Sequence, residues 1–278
     1  MNARWITLLA LLLVLPAQAS ERVVSIDGSL TEIVYALDAA GSLVAVDTTS
    51  RYPEAAQQLP DVGYMRQLSA EGILALRPTL VLASTDAGPD SVFTQLQQAG
   101  VRIVRIANNY SLDGVLNKVE QVAAALQRPA AGEALNARIL SEAEAALQRI
   151  PANATPPATL FILGAGNRGL MAAGTQTQAD AMLGLLHAHN VMSYSGYKPV
   201  SPEATLQVNP QVVLVAHTGP AQGNALSTQL AMTDAFRQQR IHTLDTSLVL
   251  GFGPRIGTAL NRLVDLLYPP VTVAGGQP

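Results

Sequence analysis

The sequence predicts an α/β fold in which two mainly parallel α/β lobes are joined by a single long helix. Short apolar segments alternate with helical segments, a pattern that is typical of βαβ units and parallel sheets. This alternation occurs twice, and residues 129–150 between the two stretches are rich in strong helix formers. Because open α/β sheets bind ligands beyond the carboxyl ends of their strands, two facing lobes predict a ligand cleft between them.

The first stretch is read from apolar periodicity and from turn residues. Ser29 and Glu32 have the spacing of a capping box, which predicts that Ser29 caps the helix after the first strand. The predicted strands are residues 22–26, 43–46, 80–83 and 101–106, and the predicted helices are residues 29–37, 70–76, 92–99 and 112–126.

The long helix has clear start and stop signals. Pro129 suits the first position of a helix, where no backbone N–H is needed, and Pro151 ends the pattern. The second stretch then has predicted strands at 159–163, 211–216 and 241–244 and helices at 178–186 and 254–267. We therefore divide the chain into a signal peptide (1–19), an N-terminal lobe (20–127), a linker helix (128–151) and a C-terminal lobe (152–278).

The two halves share a repeated segment. Residues 69–82 align with residues 201–214, and each copy has the pattern of a short helix, a proline turn and a buried strand. Glu71 and Glu203 occupy equivalent positions in the first helical turn, where the helix dipole favours a carboxylate. The dipole alone explains both residues, so the repeat by itself leaves open whether they also bind a partner.

The N-terminus has the pattern of an export signal. Arg4 precedes an apolar run at residues 5–15, and residues 17–19 (Ala-Gln-Ala) fit a small-x-small cleavage site. The run is shorter than the roughly 20 residues that span a bilayer. Since the chain has no cysteine, it has no lipid-attachment residue and no disulfide. We expect the mature chain to lie in a bacterial periplasm.

Composition excludes several classes of protein. The 278 residues are 49% hydrophobic and 13% charged, with a formal net charge of −3, so the chain can bury a large core and is not disordered. Mean hydropathy is +0.23, but beyond the signal the apolar runs are short, which argues against insertion in a membrane. A nucleic-acid binder would show a basic stripe, and none is present in the sequence.

Residues 61–69 contain the clearest candidate site. Gly63 and the absence of helical periodicity predict an extended loop, in which Tyr64 and Arg66 point to the same side. A guanidinium stabilises an adjacent phenolate, and a phenolate is a hard anionic ligand that suits ferric iron, as in haem proteins with an axial tyrosine. A surface tyrosine beside a solvated arginine explains the same pattern, so these residues alone leave both interpretations open.

Several motifs resemble the periplasmic haem-binding proteins of bacterial ABC haem importers. These proteins belong to a wider substrate-binding class that also serves cobalamin and ferric siderophores. The Gly-Tyr-Met-Arg motif is the part that points to haem, whereas the two-lobe layout is common to the whole class. The matching stretches extend over almost the whole mature chain and are residues 29–33, 62–66, 68–71, 171–174, 196–199 and 250–255.

The resemblance implies a set of residues that bind haem b. Tyr64 would be the axial ligand of the ferric iron, and Arg66 would stabilise its phenolate. Arg255, at a predicted helix N-terminus, would bind either a haem propionate or the ligated tyrosine. Tyr197 and Lys198 match Met65 and Arg66 in the repeat and are further candidates for the haem edge. The full set of candidates is Tyr64, Arg66, Arg255, Tyr197 and Lys198.

Some members of this family use a histidine of the second lobe as another iron ligand. His217 is the candidate here because it follows the predicted strand at residues 211–216. An ordinary loop histidine is the alternative. The other three histidines are predicted to be structural and are His187, His189 and His242.

The resemblance also implies partners. One exposed glutamate per lobe, Glu71 and Glu203, would dock onto arginines of an inner-membrane ABC permease dimer with its ATPase. A pseudo-twofold binding protein suits a twofold permease. The expected function is non-catalytic capture and delivery of haem by a monomeric protein.

Two alternatives remain in view. A cobalamin or ferric-siderophore binder would use the same fold without a tyrosine ligand. A periplasmic nucleotide-dependent enzyme would use residues 164–169, which fit G-x-G-x-x-G after a strand. The residues that follow this motif do not have the pattern of a phosphate-binding helix, which argues against the enzyme.

Overall fold

The computed structural model describes residues 21–164, 170–217 and 230–270, which form two α/β lobes and the helix between them. The predicted signal peptide, residues 1–19, lies outside the described residues. The α/β class with two lobes and a cleft is confirmed, and the division of the chain at residues 127 and 151 stays a prediction.

The first lobe contains a four-stranded sheet that is parallel throughout, with strand order β2-β1-β3-β4. Its central strands are continuous apolar runs because helices cover both faces of a parallel sheet. The strands are β1 (Val23–Ile26), β2 (Leu43–Val46), β3 (Leu80–Ser84) and β4 (Arg102–Ile106). The helices are α1 (Gly28–Ala36), α2 (Ala70–Ala75), α3 (Asp90–Gln98) and α4 (Leu112–Ala125).

The prediction that Ser29 caps α1 is wrong. Asp27 is the N-cap, and its carboxylate accepts hydrogen bonds from the backbone N–H of Ser29 at 2.8 Å and from the Ser29 hydroxyl at 2.7 Å. Asp27 reaches the free N–H groups of the first turn, so the cap lies two residues before the position that the capping-box spacing predicted. Glu32 does not return to the cap but contacts Arg255 of the second lobe instead.

The second lobe contains a mixed sheet with strand order β10-β9-β5-β6-β8, in which β7 pairs with β5. Strands β5, β7, β9 and β10 run parallel, whereas β6 is antiparallel to both β5 and β8. The strands are β5 (Ala158–Gly164), β6 (Leu170–Ala173), β7 (His189–Asn190), β8 (Tyr197–Pro199), β9 (Val212–His217) and β10 (Ile241–Asp245). The sequence missed β6, β7 and β8 because segments this short carry too little alternation to be recognised.

The linker is helix α5 (Pro129–Leu147), which starts at the predicted proline and ends three residues before the predicted end at 150. It packs against α4 of the first lobe and against the last helix of the second. Its buried face consists of Gly132, Leu135, Ile139, Ala143 and Ala146. The remaining helices are α6 (Gln178–Leu185), α7 (Pro202–Val208), α8 (Asp234–Arg237), α9 (Thr246–Leu250) and α10 (Ile256–Leu267).

One apolar core extends through both lobes. Side chains alternate along each strand, so Leu82 of β3 faces this shared core while Val81 faces a separate cluster on the outer side of the first sheet. Phe161 and Leu214 of the second sheet belong to the same shared core. Each fully buried side chain of this size contributes about 1.5–3 kcal/mol to the stability of the fold. Because the shared core contains side chains from both sheets, the lobes are packed against each other as well as joined by α5.

A polar contact joins the lobes beside this core. The Lys118 ammonium donates to the Ser29 hydroxyl at 2.9 Å and to the backbone oxygen of Phe252, in the second lobe, at 3.1 Å. Burial lowers the pKa of Lys118, and the charges of Asp27, Asp86 and Glu32 counteract part of that shift.

Across residues 21–164, 170–217 and 230–270, no helix has both the length and the apolar content that a bilayer crossing requires.

Candidate functional site

A cavity of about 760 Å³ lies between the lobes. Its volume falls within the range of roughly 300–1,000 Å³ that is usual for small-molecule sites. Both lobes contribute the residues that end or follow their parallel strands, as expected for ligand sites in open α/β sheets. These strand-end residues are Asp27, Thr48, Asp86, Asn108, His217 and Asp245.

The loop that carries Tyr64 is anchored by buried side chains. Met65 is 8% exposed and Leu68 is 7% exposed, and both pack in the outer core of the first lobe. Gly63 before them has a φ of +93°, a conformation that favours glycine because it has no Cβ. With Met65 turned inward, the side chains on either side of it face outward.

Backbone hydrogen bonds hold this loop on two sides. The Thr48 N–H donates to the Gly63 oxygen at 3.1 Å, which ties the loop to the segment after β2. The Gly88 N–H donates to the Met65 oxygen at 2.8 Å, and the Leu68 N–H donates to the Gly88 oxygen at 3.1 Å. The loop is therefore positioned before any ligand arrives, which lowers the entropy lost on binding.

The structure brings Tyr64 and Arg66 together. The Arg66 Nη1 donates to the Tyr64 hydroxyl oxygen at 3.2 Å, and both residues line the cavity. Tyr64 is 41% exposed, so its oxygen is accessible from the cleft. The contact is the predicted one, but the predicted extended backbone is wrong: Met65 and Arg66 form a turn in which the Gln67 N–H donates to the Tyr64 backbone oxygen at 2.7 Å. The turn places the phenol oxygen beside a cation in the cleft.

Arg255 also lines the cavity, but the protein occupies most of its hydrogen-bonding capacity. Its Nε donates to Glu32 Oε2 at 2.8 Å, and its Nη2 donates to Glu32 Oε1 at 2.5 Å and to the Ser247 hydroxyl at 3.3 Å. The guanidinium lies over the ring of Tyr52, 3.7 Å from its centroid. Burial raises the pKa of Glu32, and the hydrogen bonds and charge of Arg255 counteract only part of that shift.

Tyr197 and Lys198 belong to the second lobe and have a different environment from Tyr64. Neither is among the described residues that line the cavity. The Tyr197 hydroxyl donates to Gln178 Oε1 at 3.2 Å, and Gln178 itself lines the cavity; the Lys198 ammonium lies 4.9 Å from the ring centroid of Tyr194. Both belong to edge strand β8, whereas Tyr64 lies in an irregular loop, so the equivalence of the repeat does not extend to these positions.

His217 ends β9 and lines the cavity. It is paired with Gly164 of β5, where an added Cβ would lie 2.9 Å from the imidazole Cδ2. Gly164 therefore leaves room for the His217 ring, which gives the first glycine of the G-x-G-x-x-G pattern a packing role. The rest of that pattern, residues 165–169, lies outside the described residues.

Glu71 and Glu203 are exposed residues in the first turns of α2 and α7. Each helix precedes a parallel strand and runs back across the sheet, which places its N-terminus toward the carboxyl ends of the strands and the cleft. Hydrogen bonds from its own backbone and from Ser201 lower the pKa of Glu203, so this side chain is ionised at neutral pH.

Two tyrosines of the cleft were missed by sequence reasoning. Tyr52 is 47% exposed and is covered by Arg255 from the other lobe. Tyr110 accepts a hydrogen bond from Gln178 Nε2 at 3.0 Å and donates to Asp86 Oδ2 at 3.4 Å. No local pattern marks either residue, because both reach the cleft through long-range packing.

The fold and the cleft define a two-lobed ligand-binding protein. Residues 23–246 match the family described as periplasmic binding protein, and the chain belongs to that family. Solved structures of periplasmic haem-binding proteins are similar to this one, and this similarity confirms the resemblance that the motifs indicated.

Those structures include the apo form of the periplasmic heme-binding protein RhuT from Roseiflexus sp. RS-1, at 39% identity and a TM-score of 0.85 over 90% of this chain and 98% of that one. They also include the periplasmic heme-binding protein BhuT in complex with two hemes, at 40% identity and a TM-score of 0.83 with the same coverage. A vitamin B12-binding protein of Yersinia pseudotuberculosis is 30% identical over 77% of this chain and 75% of that protein. Membership of the family is thus compatible with more than one ligand.

Proposed function

We propose that this protein captures haem b in the periplasm through an axial Tyr64 and delivers it to an inner-membrane ABC permease dimer with its ATPase. The observation that carries the proposal is the Tyr64–Arg66 hydrogen bond in the cleft between the lobes. Binding is non-catalytic, and residues 1–19 would direct export before they are removed.

The chemistry of the pair suits ferric haem. The phenolate of Tyr64 supplies a hard, anionic oxygen to the iron, and Arg66 compensates the charge of the oxygen that it contacts. The cavity is lined mainly by polar residues, and its apolar surface comes from Leu250 and from the rings of Tyr52 and Tyr110. His217 lines the same cavity and is the candidate for a second iron ligand.

A cobalamin or ferric-siderophore binder is the alternative, and the relationship to the vitamin B12-binding protein supports it. Such a ligand brings its own metal ligands and does not require a tyrosine from the protein. The Tyr64–Arg66 pair and the similarity to heme-binding structures favour haem.

The test is a titration of the apoprotein with hemin, followed by its visible spectrum. Wild-type protein is expected to bind saturably with the spectrum of a tyrosine-ligated ferric haem, and Tyr64→Phe is expected to lose that spectrum. Tyr110→Phe is the matched control, because burial and the charge of Asp86 raise the pKa of Tyr110 to about 12 and keep its phenol neutral. Unchanged spectra in Tyr64→Phe, or no saturable binding by the wild type, would refute the proposal. A parallel titration with cyanocobalamin tests the alternative.

A further inference from the structure

The geometry points to Tyr52 as a second ligand-contacting residue, whose ring forms an aromatic wall for the flat face of the porphyrin, with Arg255 as its positioning residue. This inference rests on the proposed haem-binding function. It assigns to Arg255 a task other than binding a propionate.

The exposure of Tyr52 is directed at the cleft. The side chain is 47% exposed and lines the same cavity as Tyr64. A single exposed tyrosine needs no explanation on a convex surface, but inside a ligand cavity it offers a large, flat and partly apolar contact. One face of the ring is covered by the Arg255 guanidinium at 3.7 Å from the centroid, and the remaining exposed area is left for a ligand.

Arg255 is held in place by residues of both lobes. Two of its nitrogens donate to the carboxylate of Glu32, which is 6% exposed on α1, and a third contact reaches the Ser247 hydroxyl. Glu32 neutralises the charge of the guanidinium and occupies its Nε and Nη2 groups, which leaves Nη1 as the nitrogen that could still donate to a propionate. The flat face of the guanidinium remains available and stacks on Tyr52, an interaction that fixes the orientation of the ring.

A ring fixed in this way suits a planar aromatic ligand. Tyrosine has few rotatable bonds, and one face of this ring is already supported, so stacking a porphyrin on it orders little additional structure. The task differs from that of Tyr64, which binds the iron. Tyr52 would contact the macrocycle, and its contribution should therefore not depend on the metal.

The experiment compares hemin with metal-free protoporphyrin IX, which Tyr64 cannot ligate through iron. Tyr52→Ala is expected to weaken the binding of both molecules about tenfold, as for loss of an aromatic stacking partner. Tyr52→Phe keeps the ring and is expected to retain wild-type affinity. The visible spectrum of bound hemin should be unchanged in both variants, because Tyr64 is intact.

Wild-type affinity of Tyr52→Ala for both molecules would overturn the inference, as would undetectable binding of protoporphyrin IX by the wild type. These results differ from failure of the proposed function, in which the wild type itself would not bind hemin or Tyr64→Phe would leave the spectrum unchanged. The haem-binding function can thus stand while the aromatic wall is disproved.

The positioning role of Arg255 requires a separate measurement. Arg255→Lys keeps a cation beside Glu32 but removes the planar group over Tyr52. It is expected to weaken hemin binding in the wild-type background and to have no further effect in the Tyr52→Ala background. An equal loss in both backgrounds would show that Arg255 acts independently of Tyr52 and would overturn this role.

Discussion

Two tyrosines of the cleft have contrasting surroundings. Tyr110 is partly buried, contacts Asp86 and accepts from Gln178, and its pKa is raised to about 12, so it is a neutral phenol at any physiological pH. Tyr64 is exposed to the cleft and receives a hydrogen bond from a cation. The two environments separate a structural phenol from a candidate metal ligand.

Removal of the cation tests this distinction. Arg66→Gln is expected to weaken hemin binding about tenfold, because a charge-assisted hydrogen bond to the ligand oxygen is lost. It should also shift the tyrosine-to-iron charge-transfer band in the visible spectrum. Arg51→Gln is the control, since Arg51 lines the same cavity without a described hydrogen bond to Tyr64. An identical band shift in the control would show that the effect reflects cleft charge in general.

At the level of elements, the Tyr64 loop and helix α5 are both fixed by close backbone packing. The loop is bound to neighbouring segments through Gly63 and Gly88. In α5, Gly132 faces α4 so closely that an added Cβ would lie 2.5 Å from the Cβ of Ala123. The glycine therefore sets the approach of the two helices, although glycine is unfavourable in a helix interior.

This packing predicts opposite effects for two similar substitutions. Gly132→Ala is expected to destabilise the protein by about 1–3 kcal/mol, because the added methyl group overpacks the α4–α5 contact. Gly184→Ala in α6 is the control: nothing lies within 4 Å of its added Cβ, and it is expected to stabilise by about 0.5–1 kcal/mol. Urea unfolding measures both changes, and stabilisation by Gly132→Ala would contradict the close approach of these helices.

At the scale of the whole molecule, the two lobes are coupled by more than the linker. Helix α5, the shared apolar core, the Lys118 contacts and the Glu32–Arg255 ion pair all cross between them. Opening this core costs several kcal/mol, and the partly buried Glu32–Arg255 pair would be broken at the same time. Large rotation of one lobe against the other is therefore unfavourable.

We predict that haem binding changes the distance between the lobes by less than about 2 Å. Because the chain has no cysteine, spin labels can be introduced at Gln97→Cys and Gln207→Cys, one exposed position in each lobe. Pulsed electron resonance of the apo and hemin-bound forms then reports the change in their separation. A change in the distance between the two labels as large as a rotation of one whole lobe would produce would contradict the prediction.

The proposed docking to a permease involves both lobes and is therefore a prediction about the whole molecule. Glu71→Ala together with Glu203→Ala is expected to impair haem transport in vesicles that contain the permease and its ATPase, because it removes one exposed carboxylate from each lobe. Hemin affinity should not change. Glu133→Ala with Glu144→Ala removes the same charge from the exposed side of α5 and is expected to leave transport intact. Loss of hemin binding in the first pair would count against a docking role.

Much of this molecule was determined by local sequence. Apolar periodicity predicted the parallel strands and most of the helices, since burial on both faces of a sheet requires continuous apolar runs. Pro129 fixed the start of α5, and the i, i+2 spacing of Tyr64 and Arg66 predicted their contact. These features depend on residues that are neighbours in the chain.

Tertiary structure decided the features that join distant residues. Arg255 is paired with Glu32, 223 positions away, and stacks on Tyr52, so its part in the cleft could not be read from its own neighbourhood. Asp27 displaced Ser29 as the cap of α1, and Tyr197 was placed in an edge strand, outside the residues that line the cavity. Hydrogen-bond partners and ring contacts are selected by packing across the lobes, which a local pattern does not encode.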